Sequence, residues 1–177
     1  ETVPEITGMA ETMREKSLNV SISLKNKKLV DTAGTGGDGQ NTMNVSTAAA
    51  IVASAAGAKV AKHGNRAVSS MCGSADILEA VGVKVDLSPD GVTRCIDEVG
   101  IGFMFAPIFH PAMRYAATPR RDIGIRTVFN ILGPLTNPAN ADAQVLGVAD
   151  SKIGHLMAQS LALLGTQRAM VVHGNDG

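Results

Sequence analysis

Three clusters of residues carry groups that could do chemistry, two of them rich in donors for a phosphate. The first is Gly34-Thr35-Gly36-Gly37-Asp38-Gly39, with four glycines in six residues. Glycine permits positive φ and close backbone approach, so several N–H groups of such a loop can point at one oxyanion. The string fits neither GxGxxG nor GxxxxGK[ST], so the dinucleotide and P-loop fingerprints both fail. Asn44-Val45-Ser46-Thr47 then opens a helical stretch, where unbonded N–H groups and the positive end of the helix dipole favour an anion. Asn and Ser also cap helices, and capping and phosphate binding draw on the same donors.

The second cluster is Lys62-His63-Gly64-Asn65-Arg66-Ala67-Val68-Ser69-Ser70, a predicted loop after a short strand. Gathering its cations and hydroxyls would be costly to desolvate without an anionic partner. Lys62 and Arg66 suit phosphate, Arg66 through its bidentate fork; a solvated surface loop is the plain alternative. The third cluster runs from Phe103 through His110-Pro111 to Arg114, Arg120, Arg121 and Arg126. Arginines beside Phe105, Ile108 and Phe109 suggest apolar walls with a guanidinium clamp, a site for a flat acid. A basic face paired with acids elsewhere would look the same. There is no nucleophile elbow, no Ser-His-Asp order and no HExxH. Asp97-Glu98, the one adjacent acid pair, reads as a solvated face, His155 as helix surface and Cys72 as packed among small residues. Many phosphate donors without a covalent nucleophile point to group transfer by positioning and electrostatics.

These groups need a scaffold that brings loops together. Short β-rich runs at Leu29–Asp31, Lys59–Ala61, Val83–Val85, Ile101–Phe105, Ala143–Val148 and Ala169–Val172 alternate with helical stretches. The helices are expected from Val45 to Ala56, from Ser74 as N-cap to Ala80, and from Ser88-Pro89 to about Val99. Further ones are expected near Pro111–Ala117 and Gly124–Leu132, and from Ser151 to near Gly165. Ile6, Met9, Ala10 and Met13 mark one face of a leading helix. The alternation predicts an α/β fold, a mostly parallel sheet with helices on both faces, whose ligands bind at the carboxyl ends of the strands. With 177 residues, roughly 70% of the unfolded surface can be buried. Sixteen basic residues balance sixteen acidic ones, so no global field favours nucleic acid or an anionic membrane. No apolar run reaches the ~18–20 residues of a membrane span. The two cysteines lack CxxC spacing. The expectation is a reduced, cytoplasmic protein.

The strings GTGGDG with NVST, KHGNRAVSS followed by GSAD, FAPxxHPAMR and RTVFNxLGPLTNPA closely resemble the anthranilate phosphoribosyltransferase family, from about Leu29 to Gly177. The resemblance implies the transfer of a phosphoribosyl group from 5-phosphoribosyl-1-pyrophosphate to anthranilate, with Mg2+, on a nucleoside phosphorylase-like fold. Residues 1–28 would be a remnant of a small helical domain with a linker, and residues 29–177 an incomplete α/β substrate-binding domain. Gly34, Gly37, Asp38 and Thr42 would line the phosphoribosyl pyrophosphate site. Asn44, Val45, Ser46 and Thr47 would hold phosphates, with Ser46 on magnesium. Lys62, His63, Gly64, Asn65, Arg66, Ala67, Val68, Ser69, Ser70 and Ser74 would wrap the rest. Gly34, Asn65 and Arg120 would meet anthranilate, Arg120 through the carboxylate, in a pocket shaped by His110, Gly133 and Pro134. Family members continue past the HGxDG string into a Leu-Asp-Glu whose carboxylates hold magnesium, and the helical region normally carries a homodimer contact. The chain is therefore expected to be a piece of a longer protein with little or no turnover alone. Two other readings stay open: a pyrimidine nucleoside phosphorylase-like enzyme, and a catalytically dead binding module.

Overall fold

The computed structural model describes residues 1–22, 28–36, 43–67, 72–125 and 127–174, with the backbone alone of Arg121. The chain opens with α1 (Val3–Glu15) and continues through β1 (Leu29–Gly34), α2 (Val45–Ala55), β2 (Lys59–Gly64), α3 (Ser74–Ala80), α4 (Pro89–Glu98) and β3 (Ile101–Phe105). Three helices follow, α5 (Ala106–Phe109), α6 (Arg114–Ile123) and α7 (Phe129–Leu132), then β4 (Ala143–Gly147), α8 (Gly154–Leu163) and β5 (Arg168–Val172). The strands form one sheet in the order β3-β2-β1-β4-β5, every neighbouring pair parallel. The expected α/β class with a parallel sheet and helices on both faces is what the chain adopts.

The register brings the strand ends level. Gly34 pairs with Gly147, Gly147 with Val172, and Gly64 with Phe105. The loops that leave β1 and β2 therefore start from one edge of the sheet. Directly opposed residues share a face and successive residues alternate. Thr32, Lys62 and Phe103 thus stand on one face, and Asp31, His63, Met104 and Gln144 on the other. Against the second face pack Leu146, Met157 and Leu161 together with Ile6 and Ala10 of α1. Val92 and Ile96 of α4 join Ala61 and Met104 there. Helix α4 lies so close that a Cβ at Gly102 would come within 2.8 Å of side-chain atoms of both Val92 and Ile96. Ala75 of α3 covers Phe103 on the first face.

Several local expectations change. Pairing with β3 carries β2 on to Gly64, so Lys62 and His63 belong to the strand rather than to the loop. Val83–Val85 forms no strand; Val85 is buried against Ala75 and Phe103 without entering a ladder. Gly73, not Ser74, is the N-cap of α3. Gly124 does not open a helix: at φ +65° it ends α6, which runs on through Pro119 with the loss of one backbone bond. Asp150, not Ser151, caps the short 3-10 turn before α8. On α1, Ile6 and Ala10 are buried and Met13 is partly so, whereas Met9 is exposed, because α1 meets α7 and α8 along a narrower stripe. Ser88 caps α4 as expected, its hydroxyl accepting from Gly91 N at 3.3 Å.

Candidate functional site

Where β1, β2 and the start of α2 meet, Lys62 is enclosed at 2% exposure. Its Nζ donates to the Thr32 carbonyl at 2.6 Å and to Ser46 Oγ at 3.2 Å. Thr32 Oγ1 donates to the Ser46 carbonyl at 2.7 Å, which pins the first turn of α2 to β1. Burial pulls the Lys62 ammonium below the usual lysine range, and Asp31 pushes the other way. Asp31 is wholly buried on the opposite face, where burial raises its carboxyl above the usual carboxylate range, opposed first by Lys62. The carboxylate accepts from His63 N at 3.3 Å and Gln144 Nε2 at 3.4 Å. A cation and an anion thus flank the sheet beneath the Gly34 turn.

The N-terminal residues of α2 turn their side chains toward the second loop. Asn44 makes no side-chain cap; its Nδ2 donates instead to the Gly73 carbonyl at 3.1 Å. Thr47 Oγ1 bonds Ser74 Oγ at 3.0 Å. The starts of α2 and α3 are therefore joined, and the Gly34 and Lys62 segments converge as the sequence requires. Val45 is largely exposed. Asn65 is also exposed, its carbonyl accepting from Ala75 N at 3.2 Å. The fork of Arg66 is taken by Glu79 and Asp76, at 2.5–3.2 Å, and its guanidinium carbon lies 5.4 Å from the Phe105 ring centre. Cys72 is exposed rather than packed. Gly37, Asp38, Thr42, Val68, Ser69, Ser70 and Arg126 lie outside the described residues.

The third cluster comes to the same edge from the Asp31 face. The His63 and His110 rings meet edge to face at 4.9 Å. His63 Nδ1 lies 3.2 Å from the Gly133 carbonyl, and Gln144 Nε2 donates to the Pro134 carbonyl at 2.7 Å. Both histidine Nε2 atoms are buried with no hydrogen-bond partner. Burial, then His110 and Lys62, drive the His63 pKa down to about 3, so the imidazole is neutral at physiological pH. His110 is lowered by burial as well. His110 also lines a pocket of about 340 Å³ with Thr12, Met13, Lys16, Met113 and Phe129. The Arg120 guanidinium stands 5.2 Å from the Phe129 ring centre, beside that pocket. Apolar walls with a nearby guanidinium can take a flat organic acid.

Among the described residues no group of three or more His, Cys, Asp or Glu gathers as a metal cluster. Ser46 Oγ is a hard oxygen donor of the kind magnesium uses, and magnesium completes its octahedron with water and substrate phosphates. The residues present fit such a shared ion. Sequence reasoning missed Asp31 and Asp76. An isolated Asp inside an apolar strand was the available signal for Asp31; Asp76 closed the GSAD string, but nothing local tied it to Ala67 nine residues earlier.

The chain belongs to the glycosyl transferase family, a/b domain, whose family model matches residues 26–177. It is 62% identical over its whole length to an anthranilate phosphoribosyltransferase of Desulforamulus reducens and covers 51% of that protein. Its fold superposes with a TM-score of 0.94 on the anthranilate phosphoribosyltransferase of Thermus thermophilus, at 52% identity, over 100% of this chain and 53% of the other. The enzyme of Saccharomyces cerevisiae in complex with PRPP and Mg gives 0.91 at 34% identity, over 99% and 49%. The chain thus spans about half the length of the relatives it matches.

Proposed function

We propose that the protein carrying this glycosyl transferase domain moves the phosphoribosyl group of 5-phosphoribosyl-1-pyrophosphate to the amine of anthranilate, releasing pyrophosphate. The observation that carries this reading is the Lys62 ammonium, sealed within 3.2 Å of Ser46 Oγ at the joined starts of α2 and α3. A buried cation beside a helix N-terminus suits a polyanion. The diphosphate would lie against Gly34, Asn44, Val45, Ser46, Thr47 and Ser74, with Gly37, Asp38, Thr42, Val68, Ser69 and Ser70 completing the enclosure. Lys62 would face the diphosphate from beneath, and His63, Gly64, Asn65, Arg66 and Ala67 would wrap the rest of that substrate. Arg66 would act chiefly by shaping its loop, since its fork is already taken.

Anthranilate would enter past His110 toward Gly34, Asn65, Gly133 and Pro134, its carboxylate drawn to Arg120. As the bond from C1 to pyrophosphate breaks, charge grows on the leaving oxygens and the ribose becomes oxocarbenium-like. The fixed donors around Lys62 favour that state over the ground state, and one such contact is commonly worth on the order of 10²–10³ in rate. The neutral aniline nitrogen would attack C1 as the bond to pyrophosphate breaks, and the proton it then sheds would pass to the departing pyrophosphate or to water. Ser46 would hold a magnesium ion, which would supply positive charge to offset that of the leaving pyrophosphate. Residues 1–28 would belong to a helical domain of the whole protein, which we expect to be a cytoplasmic homodimer.

The test is a steady-state assay of the full-length protein with anthranilate, phosphoribosyl pyrophosphate and magnesium, run beside uridine plus phosphate. Formation of N-(5-phosphoribosyl)anthranilate is expected; phosphorolysis of uridine in its place would assign the nucleoside phosphorylase chemistry. Calorimetric binding of phosphoribosyl pyrophosphate without any turnover would identify a dead binding module. This chain alone should turn over little or not at all.

A further inference from the structure

Gly73 is where the chain leaving β2 meets the chain entering α3. A Cβ there would lie 2.3 Å from Ala67 N, 2.4 Å from the Arg66 carbonyl carbon and 2.8 Å from the Asn65 oxygen, all backbone atoms. The two arms of the loop touch because no side chain stands between them. One carboxylate joins them. Asp76, the third residue of α3, accepts from Gly73 N at 2.7 Å and from Ala67 N at 2.9 Å, both on Oδ2. Its Oδ1 takes Arg66 Nη1 at 3.2 Å, and Glu79 holds the same guanidinium. The amides of Ala67 and then Gly73 keep the Asp76 carboxyl below the usual carboxylate range, so it is ionised at neutral pH. The Gly73 carbonyl in turn accepts from Asn44 at the start of α2.

The reach of a helix's third residue back to its N-cap amide explains the bond from Asp76 to Gly73. It does not explain the second bond on the same oxygen, to an amide nine residues earlier. We infer that Asp76 is a positioning residue: through Oδ2 it locks the Asn65–Ala67 arm to the start of α3, which Asn44 ties to α2, and so fixes the spacing between the two segments that hold the phosphorylated substrate. The inference rests on the function proposed above. It also has a physical basis independent of that function: two amides held on one carboxylate oxygen fix the distance between Ala67 and Gly73 before any ligand binds. Asp76 acts through Ala67 and Gly73, with Arg66 on its other oxygen, and is not placed against the substrate itself.

The test uses the full-length protein and three variants, each read by hydrogen exchange and by kinetics. Asp76→Ala should speed exchange of the Ala67 and Gly73 amides and raise KM for phosphoribosyl pyrophosphate about tenfold, since an ångström of misplacement can cost on the order of 100-fold. KM for anthranilate should move less, because of its proposed contacts only Asn65 lies on the clamped arm, whereas His110, Arg120, Gly133 and Pro134 stand on other elements. Asp76→Asn keeps a carbonyl oxygen for both amides and should restore wild-type KM. Glu98→Gln, whose exposed side chain reaches only Arg94, should change neither reading. Unchanged exchange in Asp76→Ala, equal losses on both substrates, or an Asn variant as impaired as the Ala variant would each overturn the inference. If Asp76→Ala does not fold, Ala67→Pro deletes one donor and leaves the carboxylate; an unchanged KM for the phosphorylated substrate there also overturns it. A wild type that makes no phosphoribosyl anthranilate sinks the proposed function instead, and amide exchange then decides the clamp alone.

Discussion

On the side built from β1, β2 and the start of α2, the cation is sealed inside the protein; on the side built from α5 to α7, Arg114 is exposed and Arg120 only half-buried. Lys62 is 2% exposed and already donates to Thr32 and Ser46. Arg114 and Arg120 lie over Tyr115 and Phe129, and no described carboxylate stands within ion-pair distance of either. The first arrangement carries a desolvation penalty in advance and is rigid before any ligand arrives. The second costs little to hold and leaves a guanidinium able to swing to a carboxylate. The contrast suits the two proposed substrates: a polyanion whose charge must be met at fixed points, and a flat acid held by apolar walls and one cation.

The largest effect should come from Lys62→Met. It leaves Asp31 buried without its nearest opposing charge and the Thr32 carbonyl without its donor, which should cost about 2–3 kcal/mol in denaturant unfolding. In the full-length enzyme KM for phosphoribosyl pyrophosphate should rise with it. A stability unchanged within error would mean that the sealed side is not sealed. Next, Arg120→Ala should raise KM for anthranilate by about tenfold, the worth of one charge-assisted contact. It should spare KM for the phosphorylated substrate and leave the melting temperature nearly unchanged. Equal loss on both substrates would erase the division between the two sides.

A smaller effect concerns pH. His63 titrates near 3 in the fold and at its ordinary value of 6.5 when unfolded. Between those values the unfolded chain carries a proton the native one lacks, so stability is full above the ordinary value and is lost as pH falls toward the native one. His110, also lowered, adds in the same direction. His63→Asn should flatten the acid-side slope by up to one proton in unfolding curves taken from about pH 4 to 6.5; an unchanged slope would show that the imidazole is not buried neutral. The smallest effect is expected from Arg114→Ala, within about 0.5 kcal/mol, because the side chain is exposed.

Much of the site was legible because its donors are local in sequence. The glycines after β1, the helix-opening Asn44–Thr47 and the cations after Lys59 each announce themselves within a short stretch of chain. What was not legible depended on distant partners. Lys62 and Arg66 look alike in the string KHGNR, yet β3 draws one into the ladder and α3 takes the other in a clamp. Cys72 sits among small residues but faces outward, and Val83–Val85 is apolar but finds no strand to pair with. Asp31 passes for a strand residue until Gln144 arrives from 113 residues away.

By itself the sequence determined the alternation of strands and helices, the Ser88-Pro89 start of α4, and the residue types at each loop. Those follow from backbone preferences and hydrogen bonds that span one turn. Only the tertiary structure decided the order β3-β2-β1-β4-β5, the faces that separate Lys62 from Asp31, and the meeting of His63 with His110. Strand neighbours and burial are set by packing between segments far apart in the chain, and a charged side chain reads the same in sequence whether water or another strand surrounds it.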